Sequence, residues 1–529
     1  MTVMEKTNAS RREFMRLAFA SAMSFGLPFP GYAKSNAKPT RPNILFIMAD
    51  DHATNAISCY GSRLAQVAPT PNIDNLARKG MRLESCFCTN SICTPSRATI
   101  MTGKYSHKNG VYTLRDALDP AQPNVAKYLR KSGYQTALIG KWHLHSEPSG
   151  FDYYHVLDGQ GRYFDPRFIE NGNWEKEHRK KRGEIGKIYK GYSTDIVTDM
   201  AMKWMKGRNH KKPFFLMCHF KAPHEPWEYA KRYANYLADI EIPEPDSLWE
   251  DKSHRSQGSR EYGYTIDTLT KRMLKKNYHS EGPIDIHGLN KKQQRKKTYQ
   301  IFLKRYLRTI KGVDDNVGRL LKFLSRNNLA QNTVVIYTSD QGYFLGEHNY
   351  IDKRWIFEES LRMPFIVRYP AEIVSGSSND DIVLNTDFAP TFLDYAGLPT
   401  PVDMQGRSMR PLLHGKTPSD WRTSMYYRYW MHTNRPAHYG LRTKRYKLIF
   451  FYGLPLGMSG ASSVRTKPGW ELYDLKNDPH ELHNIYHESQ YAEIIKELKR
   501  ELLHKKKQLD DTDGKYPELL QLRMKTGGI

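Results

Sequence analysis

The amino-acid sequence predicts an α/β fold, in which helices sandwich a large, mostly parallel β-sheet and a smaller C-terminal α+β subdomain follows. Short apolar runs rich in β-forming residues alternate with helical patterns up to about residue 410. The four clearest runs, residues 43–48, 134–139, 213–217 and 333–337, each end abruptly in polar residues. This pattern is typical of buried parallel strands, whose carboxyl ends share the edge of the sheet where ligands bind.

Two helical patterns lie between these runs, one over residues 124–132 and one with a single apolar stripe over residues 310–324. The segment of about residues 228–304 breaks the alternation because it is rich in Pro, Lys and Arg, and we interpret it as a basic surface insertion. Its charges fit either a solvated face or contact with an anionic glycan.

The pattern changes again beyond about residue 410. Residues 424–430, 446–452 and 470–475 have the composition of short strands, and residues 492–508 that of a charged helix. We therefore divide the chain into a first domain over residues 38–412 and a C-terminal α+β subdomain over residues 413–529.

The first 37 residues carry the pattern of a twin-arginine export signal. Arg11 and Arg12 precede a weakly apolar run over residues 17–27, and a small-residue site lies near Ala33. A chance arginine pair on an amphipathic helix is the alternative. No later stretch reaches the ~18 apolar residues of a membrane span, so we expect no membrane anchor. We expect an exported protein, periplasmic or secreted, that is recognised by export machinery.

The formal net charge of +25 would attract nucleic acid, anionic membranes or acidic polysaccharide, and charge alone does not choose among them. The five cysteines are odd in number and too sparse for a disulfide scaffold. Cys218 lies in an apolar run and is expected to be a small buried side chain, whereas Cys93 has very different surroundings.

The strongest local pattern is Cys-Thr-Pro-Ser-Arg at residues 93–97, followed by Thr-Gly at residues 102–103. It places a potential nucleophile, Cys93, at a predicted helix start, where backbone N–H groups face an anion. Arg97 falls on the same helical face and can add a fixed positive charge. A plain thiol would be a poor nucleophile here, and no neighbouring residue forms an evident Cys-His pair.

Carboxylates follow two of the predicted strands. Asp50 and Asp51 repel one another at a buried strand end, so a bound cation would explain the pair. Asp340 and Gln341 supply a second oxygen-rich pair at another strand end. Because all four offer hard oxygen ligands, calcium or magnesium is favoured over zinc.

Cationic residues follow the other two predicted strands. Lys141 and His143, two residues apart, point the same way on an extended segment. Two histidines, His219 and His224, follow the run at 213–217. Lys353 lies downstream of Asp340. Fixed positive charges of this kind stabilise an anion and the charge that develops on its oxygens.

At these residues the sequence resembles the type I sulfatases of the alkaline phosphatase superfamily. Their signature, Cys-x-Pro-Ser-Arg, four residues and Thr-Gly, is matched at every fixed position. Their Lys-x-His, Pro-His and Gly-Glu-His patterns are also met, over about residues 42–412 and more loosely over 471–481. The resemblance implies an alkaline phosphatase-like fold, with residues 38–412 as a sulfatase catalytic domain.

The resemblance also implies two cofactors. Cys93 would be converted to formylglycine by a dedicated maturation enzyme. Calcium would be bound by the modified Cys93 and by Asp50, Asp51, Asp340 and Gln341. Gln341 departs from the Asn or His usual in the family, although its carbonyl can coordinate from one methylene further out.

The family mechanism implies the remaining roles. A hydroxyl of the hydrated formylglycine attacks sulfur while Asp340 helps to deprotonate it. His224 protonates the departing sugar oxygen, and His143 takes the proton from the second hydroxyl, which expels sulfate. His219, which still falls within the strand period, is expected to be structural or to support the site residues. The sulfate is held by calcium and by three cations: Arg97, Lys141 and Lys353.

We therefore predict hydrolysis of sulfate esters on a carbohydrate, a polysaccharide or oligosaccharide, with 6-O-sulfated N-acetylglucosamine as the first candidate and no nucleic-acid partner. Three alternatives stay open. A phosphatase or phosphodiesterase of the same superfamily would use Ser or Thr and two zinc ions with histidine ligands. A non-catalytic protein could bind sulfated glycans through its basic surface, and a sulfatase could act on small aryl or choline esters.

Overall fold

The computed structural model describes residues 41–181, 183–432 and 435–528. The twin-arginine prediction for residues 1–37 lies outside the described residues. Among the described helices, none combines the length and the apolar character needed to cross a membrane.

The described residues form strands and helices whose bounds follow. In chain order, β1 to β18 are Asn43–Asp50, Met81–Leu83, Cys86–Phe87, Gln135–Lys141, Tyr153–Leu157, Arg167–Glu170, Lys187–Ile188, Phe214–Pro223, Thr333–Ser339, Phe344–Leu345, Ile351–Asp352, Phe365–Arg368, Ser377–Asn379, Val383–Leu384, Ser424–Tyr429, His438–Thr443, Tyr446–Phe451 and Gly469–Asp474. In the same order, α1 to α13 are Pro71–Arg78, Cys93–Thr102, Ser106–Asn109, Val125–Lys131, Trp174–His178, Ser193–Gly207, Ile266–Met273, Lys291–Arg326, Glu358–Leu361, Phe388–Tyr395, Arg410–Leu413, Ala492–Gln508 and Pro517–Lys525.

The predicted α/β fold is confirmed, with a large sheet of ten strands in the order β13-β2-β12-β9-β1-β8-β4-β5-β6-β7. The central strands β9, β1, β8, β4 and β5 are parallel, and they include all four apolar runs found in the sequence. Strands β12, β6 and β7 pair antiparallel towards the two edges, so the sheet is mixed. Because the central strands run the same way, their carboxyl ends meet at one edge.

Alternate side chains of β1 are buried on opposite faces of this sheet. Ile44, Phe46 and Met48 pack in one core, which includes residues of α2, α4 and α10. Leu45 and Ile47 pack in the other, with residues of α6 and α8. This two-residue period explains why the run is apolar throughout, since a strand covered by helices on both faces has no solvated side.

The smaller C-terminal sheet is antiparallel, in the order β15-β16-β17-β18. Three of its strands and helix α12 lie where the sequence predicts them. Strand β16 was missed, because Gly440 interrupts its apolar pattern; the glycine allows the Leu448 carbonyl and the Ile356 side chain to approach closely. The boundary placed between residues 412 and 413 stays a prediction, and it falls within α11.

Part of the segment 228–304 is buried, although its composition suggested a surface insertion. Its last residues begin helix α8, which starts at Lys291, well before the predicted stripe. Arg255, with no exposed side-chain surface, donates to Glu250 through Nε at 2.9 Å and Nη2 at 3.1 Å. Its Nη2 also lies 2.7 Å from His348 Nδ1. The segment therefore contributes core residues beside the carboxyl edge of the sheet.

The substitution Arg255→Ala is expected to lower the free energy of unfolding by about 3–5 kcal/mol, because it leaves the Glu250 carboxylate buried without its cation. Lys276→Ala, an exposed position of the same segment, should change it by less than about 0.5 kcal/mol. Chemical unfolding of the two variants checks this. Equal stabilities would mean that Glu250 is solvated.

Candidate active site

The predicted site residues meet at the carboxyl edge of the central strands. Strand β1 ends at Asp50, β4 ends at Lys141, and Asp340 directly follows β9. His224 directly follows β8, which ends at Pro223. Asp51 and Gln341, which are 290 positions apart in the sequence, are thereby brought into contact.

Three carboxylates of the site lie close to one another. Asp50, Asp51 and Asp340 each offer an oxygen within 4.8 Å of the others. The backbone N–H of Asp51 donates to Asp340 Oδ1 at 3.1 Å. The Gln341 side-chain amide donates to Asp51, whereas its carbonyl oxygen Oε1 is buried without a hydrogen-bond partner among the described residues. These are the oxygen ligands that calcium and magnesium prefer.

The electrostatics of the three carboxylates favour a bound cation. Burial and the charge of Asp50 raise the pKa of Asp340 to about 7. Burial also raises the pKa of Asp51 to about 6, against the opposing charge of Lys353. The pKa of Asp50 lies well below its usual value despite its burial, because Lys141, His224 and Arg97 surround it. A divalent cation among these oxygens would relieve their mutual repulsion.

Cys93 is the first residue of α2, as the sequence predicts, and its side chain is buried. Its Sγ lies 3.5 Å from Asp50 Oδ1. Burial, and after it the charge of Asp50, raises the pKa of the Cys93 thiol well above its usual range. The unmodified side chain is therefore a protonated thiol at neutral pH, which is a weak nucleophile.

The turn that carries Cys93 is held by three hydroxyl contacts. Thr94 Oγ1 donates to the His143 carbonyl at 3.0 Å. Ser96 Oγ donates to the Asp340 carbonyl and accepts from Asn385 Nδ2 at 3.0 Å. Because these bonds join α2 to the ends of β4 and β9, the position of Cys93 is fixed relative to the carboxylates.

Three buried cations surround the carboxylates. Arg97 Nε donates to Asp340 Oδ2 at 3.0 Å, and its Nη1 donates to the Lys141 carbonyl at 2.7 Å. The Lys141 ammonium group donates to Asp50. Lys353 Nζ lies 2.6 Å from both oxygens of Asp51. Such a set of fixed charges can hold a tetrahedral oxyanion.

The histidines differ in what they face. His224 directs Nδ1 to the Glu225 carbonyl at 2.8 Å, which leaves Nε2 on the site, 3.7 Å from Asp51 Oδ2. His219 Nδ1 binds the Lys141 carbonyl at 3.0 Å, and its ring packs edge-on against Phe46. His224 is therefore the histidine placed to exchange a proton with a ligand, and His219 holds a strand end.

His143 is buried beside the other residues of the site. Its Nδ1 has no hydrogen-bond partner among the described residues. Burial, followed by the charge of Lys141, holds the pKa of His143 well below its usual value. The imidazole is therefore neutral at pH 7 and can accept a proton.

Several site residues have a left-handed backbone, which non-glycine residues seldom adopt. The φ angles are 67° at Asp51, 56° at His143, 77° at Asp352 and 87° at Arg354. Each such residue costs about 1–3 kcal/mol and persists only where its surroundings enforce it. The clustering of these residues indicates a site whose geometry is set by the fold.

A cavity of about 110 Å³ opens onto Cys93, and some of its walls were not predicted. Asp352 and Arg354 flank Lys353 and pair with each other at 2.6 Å. Their adjacency to Lys353 is the only signal for them in the sequence. The other unpredicted lining residues are Leu114, Gln160, Glu225 and Tyr343.

Family models match most of the chain. Residues 42–398 match the model described as sulfatase, and residues 346–508 match N-sulphoglucosamine sulphohydrolase, C-terminal. The C-terminal match spans the smaller sheet. The two matches overlap and together cover the parts of the chain that carry the site.

Individual proteins agree with these matches. The chain is 41% identical to an N-acetylglucosamine-6-O-sulfatase from Bacteroides thetaiotaomicron, over 89% of this chain and 88% of the relative. An arylsulfatase from Clostridium perfringens is 25% identical over 90% of this chain and 96% of its own. A protein solved in complex with its substrate D-glucosamine-2-N,6-O-disulfate superposes with a TM-score of 0.81 and 40% identity, covering 90% and 99% of the two chains. The chain therefore belongs to the sulfatase family and is a sulfuric ester hydrolase.

Proposed function

We propose that this enzyme hydrolyses the 6-O-sulfate ester of a glucosamine-type sugar, in a sulfated polysaccharide or oligosaccharide, with calcium and a formylglycine made from Cys93. The observation that carries the proposal is the position of Cys93 at a helix start beside Asp50, among Arg97, Lys141 and Lys353. The substrate class rests on similarity to a protein named an N-acetylglucosamine-6-O-sulfatase and to a structure solved with a 6-O-sulfated glucosamine.

The residues present fit the proposed calcium ion. Asp50, Asp51 and Asp340 would hold it with the Gln341 carbonyl, whose oxygen has no other partner among the described residues. Bound calcium would supply positive charge for the sulfate oxygens, and formylglycine would supply an oxygen nucleophile in place of the thiol. Conversion of Cys93 would require the maturation enzyme that we also propose as a partner.

The side chains of the site then bind sulfate and move protons. Arg97, Lys141 and Lys353 hold the sulfate oxygens and stabilise the charge that builds on them. Asp340 would take a proton from the attacking oxygen, since its carboxylate lies beside that of Asp50, which Cys93 contacts.

Two histidines complete the proton transfers. His224 Nε2 delivers a proton to the leaving sugar oxygen. Burial, followed by the charge of Lys141, holds the pKa of His224 well below its usual value, and the negative charge of a bound sulfate ester would raise it. Neutral His143 accepts a proton from the modified side chain at position 93. The loss of this proton regenerates that side chain for the next turnover.

Removal of the metal is expected to abolish activity, and calcium should restore it. Gln341→Ala should lower calcium affinity more than Gln341→Asn, because asparagine keeps a carbonyl ligand. Calcium titrations of the two variants, followed by turnover, check this. Zinc at two equivalents per chain would instead favour the phosphatase alternative.

Defined sulfated saccharides, scored for released sulfate, test the proposed substrate. Release from 6-O-sulfated N-acetylglucosamine or glucosamine, with little from 2-, 3- or 4-O-sulfated sugars, is expected. Release from galactose or uronate sulfates alone would contradict the sugar assignment. We also propose export through the twin-arginine signal, and detection of the protein outside the cytoplasm, lost on Arg11→Lys with Arg12→Lys, tests it.

A further inference from the structure

Glu225 lines the cavity that opens onto Cys93, next to the histidine that faces the reaction centre. Its main-chain carbonyl orients His224 through Nδ1 at 2.8 Å. Its side chain points to different partners, so the carboxylate has a role separate from that of the carbonyl.

The segment 228–304 holds this carboxylate in place. Tyr278 donates its hydroxyl to Glu225 Oε1 at 2.5 Å, and Arg272 Nη2 lies 2.7 Å from the same oxygen. The Arg272 guanidinium is itself packed over the rings of Tyr264 and Tyr278, 5.2 Å from each centroid. Tyr278 and Arg272 therefore fix one oxygen of a carboxylate that lies in the wall of the cavity, and Tyr264 packs against Arg272.

The second oxygen of Glu225 is left for a ligand. Within the described part of the chain, Oε2 accepts no hydrogen bond, and 19% of the side chain stays exposed. A carboxylate oxygen accepts hydrogen bonds and does not donate them when ionised. Its complement is therefore an O–H or N–H group of the bound molecule.

We propose that Glu225 determines sugar specificity by accepting a hydrogen bond from a ring hydroxyl or from the 2-amino nitrogen of the sulfated sugar. This inference rests on the proposed function and gives the segment 228–304 a role, as the support of the sugar-binding wall. A site built to pair with such a donor rejects a molecule that lacks it, because the carboxylate is then left without a partner.

The test compares two substrates with similarly basic leaving groups, a 6-O-sulfated N-acetylglucosamine and a simple primary alkyl sulfate. Hydrolysis of both substrates needs the proton from His224. The ratio of their kcat/KM values therefore reports recognition of the sugar ring alone. Glu225→Ala should lower kcat/KM for the sugar by about 10–100-fold, mainly through KM, and for the alkyl sulfate by less than about threefold. Glu225→Gln, which keeps an acceptor oxygen, should lose less.

Variants outside the cavity test the support of the carboxylate. Tyr278→Phe and Arg272→Met should each raise KM for the sugar by about 3–10-fold and leave the alkyl sulfate unchanged. Lys271→Met, an exposed neighbour of Arg272 in α7, is the matched control and should behave like the wild type. Thermal unfolding of all variants confirms that they are folded.

2-Deoxyglucose 6-sulfate, which has no hydrogen-bond donor at C2, distinguishes the two donors. If the 2-amino nitrogen is the donor, the wild type but not Glu225→Ala prefers the amino sugar; if a hydroxyl is the donor, the preference is the same in both. Equal losses on sugar and alkyl sulfates, or no loss, would overturn the inference while leaving the sulfatase function intact. Failure of the wild type to release sulfate from any sugar would overturn the proposed function and this inference together.

Discussion

Cys93→Ala is expected to lower turnover by about 10⁴-fold or more, because it removes the atom that carries the proposed nucleophile. The other groups of the site would remain: Arg97, Lys141 and Lys353 could still bind sulfate. The loss should therefore fall on kcat, with the affinity for a sulfated sugar largely kept. Sulfate release measured at saturating substrate, with binding measured separately, checks both parts.

Peptide mass spectrometry of the active wild type completes this test. The peptide that contains Cys93 should carry the mass of the aldehyde, and activity should scale with its fraction across preparations. Cys59→Ala, a half-buried cysteine outside the site, is the matched control and should keep full activity. Full turnover by Cys93→Ala, or by protein with an unmodified thiol, would refute the mechanism.

His224→Ala is expected to lower hydrolysis of a sugar sulfate by about 10²–10⁴-fold and hydrolysis of an activated aryl sulfate much less. A leaving sugar alkoxide is strongly basic and needs a proton, whereas an aryl oxide leaves readily without one. The geometry agrees, because the Glu225 carbonyl engages Nδ1 and leaves Nε2 on the site.

His219→Ala is the matched control for the role of His224 as the proton donor to the leaving group. His219 binds the Lys141 carbonyl and packs on Phe46, so its loss should affect both substrates alike. The ratio of the two rates cancels any loss of folded protein. If His219→Ala selectively lowered hydrolysis of the sugar sulfate, and His224→Ala lowered hydrolysis of both substrates equally, His219 would be the general acid and His224 the structural histidine.

The sequence predicted the α/β fold because periodicity and strand-end chemistry are local signals. The length and composition of each apolar run can be read from its consecutive residues. Asp50, Lys141 and Asp340 lie within two residues of a strand end. The rule that parallel strands end at one edge then brings these residues together without knowledge of the loops. This is why the predicted site residues occupy one place in the structure, although their individual roles stay predictions.

The cavity walls could not be predicted in the same way. Gln160 contacts Lys141, and Tyr278 contacts Glu225, through loops and inserted helices whose paths depend on tertiary packing. The basic composition of the segment 228–304 predicted a solvated surface, whereas Arg255 is buried because the Glu250 carboxylate compensates its charge and His348 lies within hydrogen-bond distance. The composition of a segment shows how many charged residues it contains but not which residues pair with them.

The burial of Cys93 has a consequence for the order of folding and of the proposed modification. Its side chain retains 1% of its exposure in the folded chain. Ser96 in the same turn is held by Asn385, which directly follows β14, and by Asp340, which directly follows β9. A maturation enzyme would need access to the thiol, which the folded chain does not give. If Cys93 is modified as proposed, the modification would therefore precede folding, and a chain that folds first would keep an unmodified thiol in an otherwise intact site.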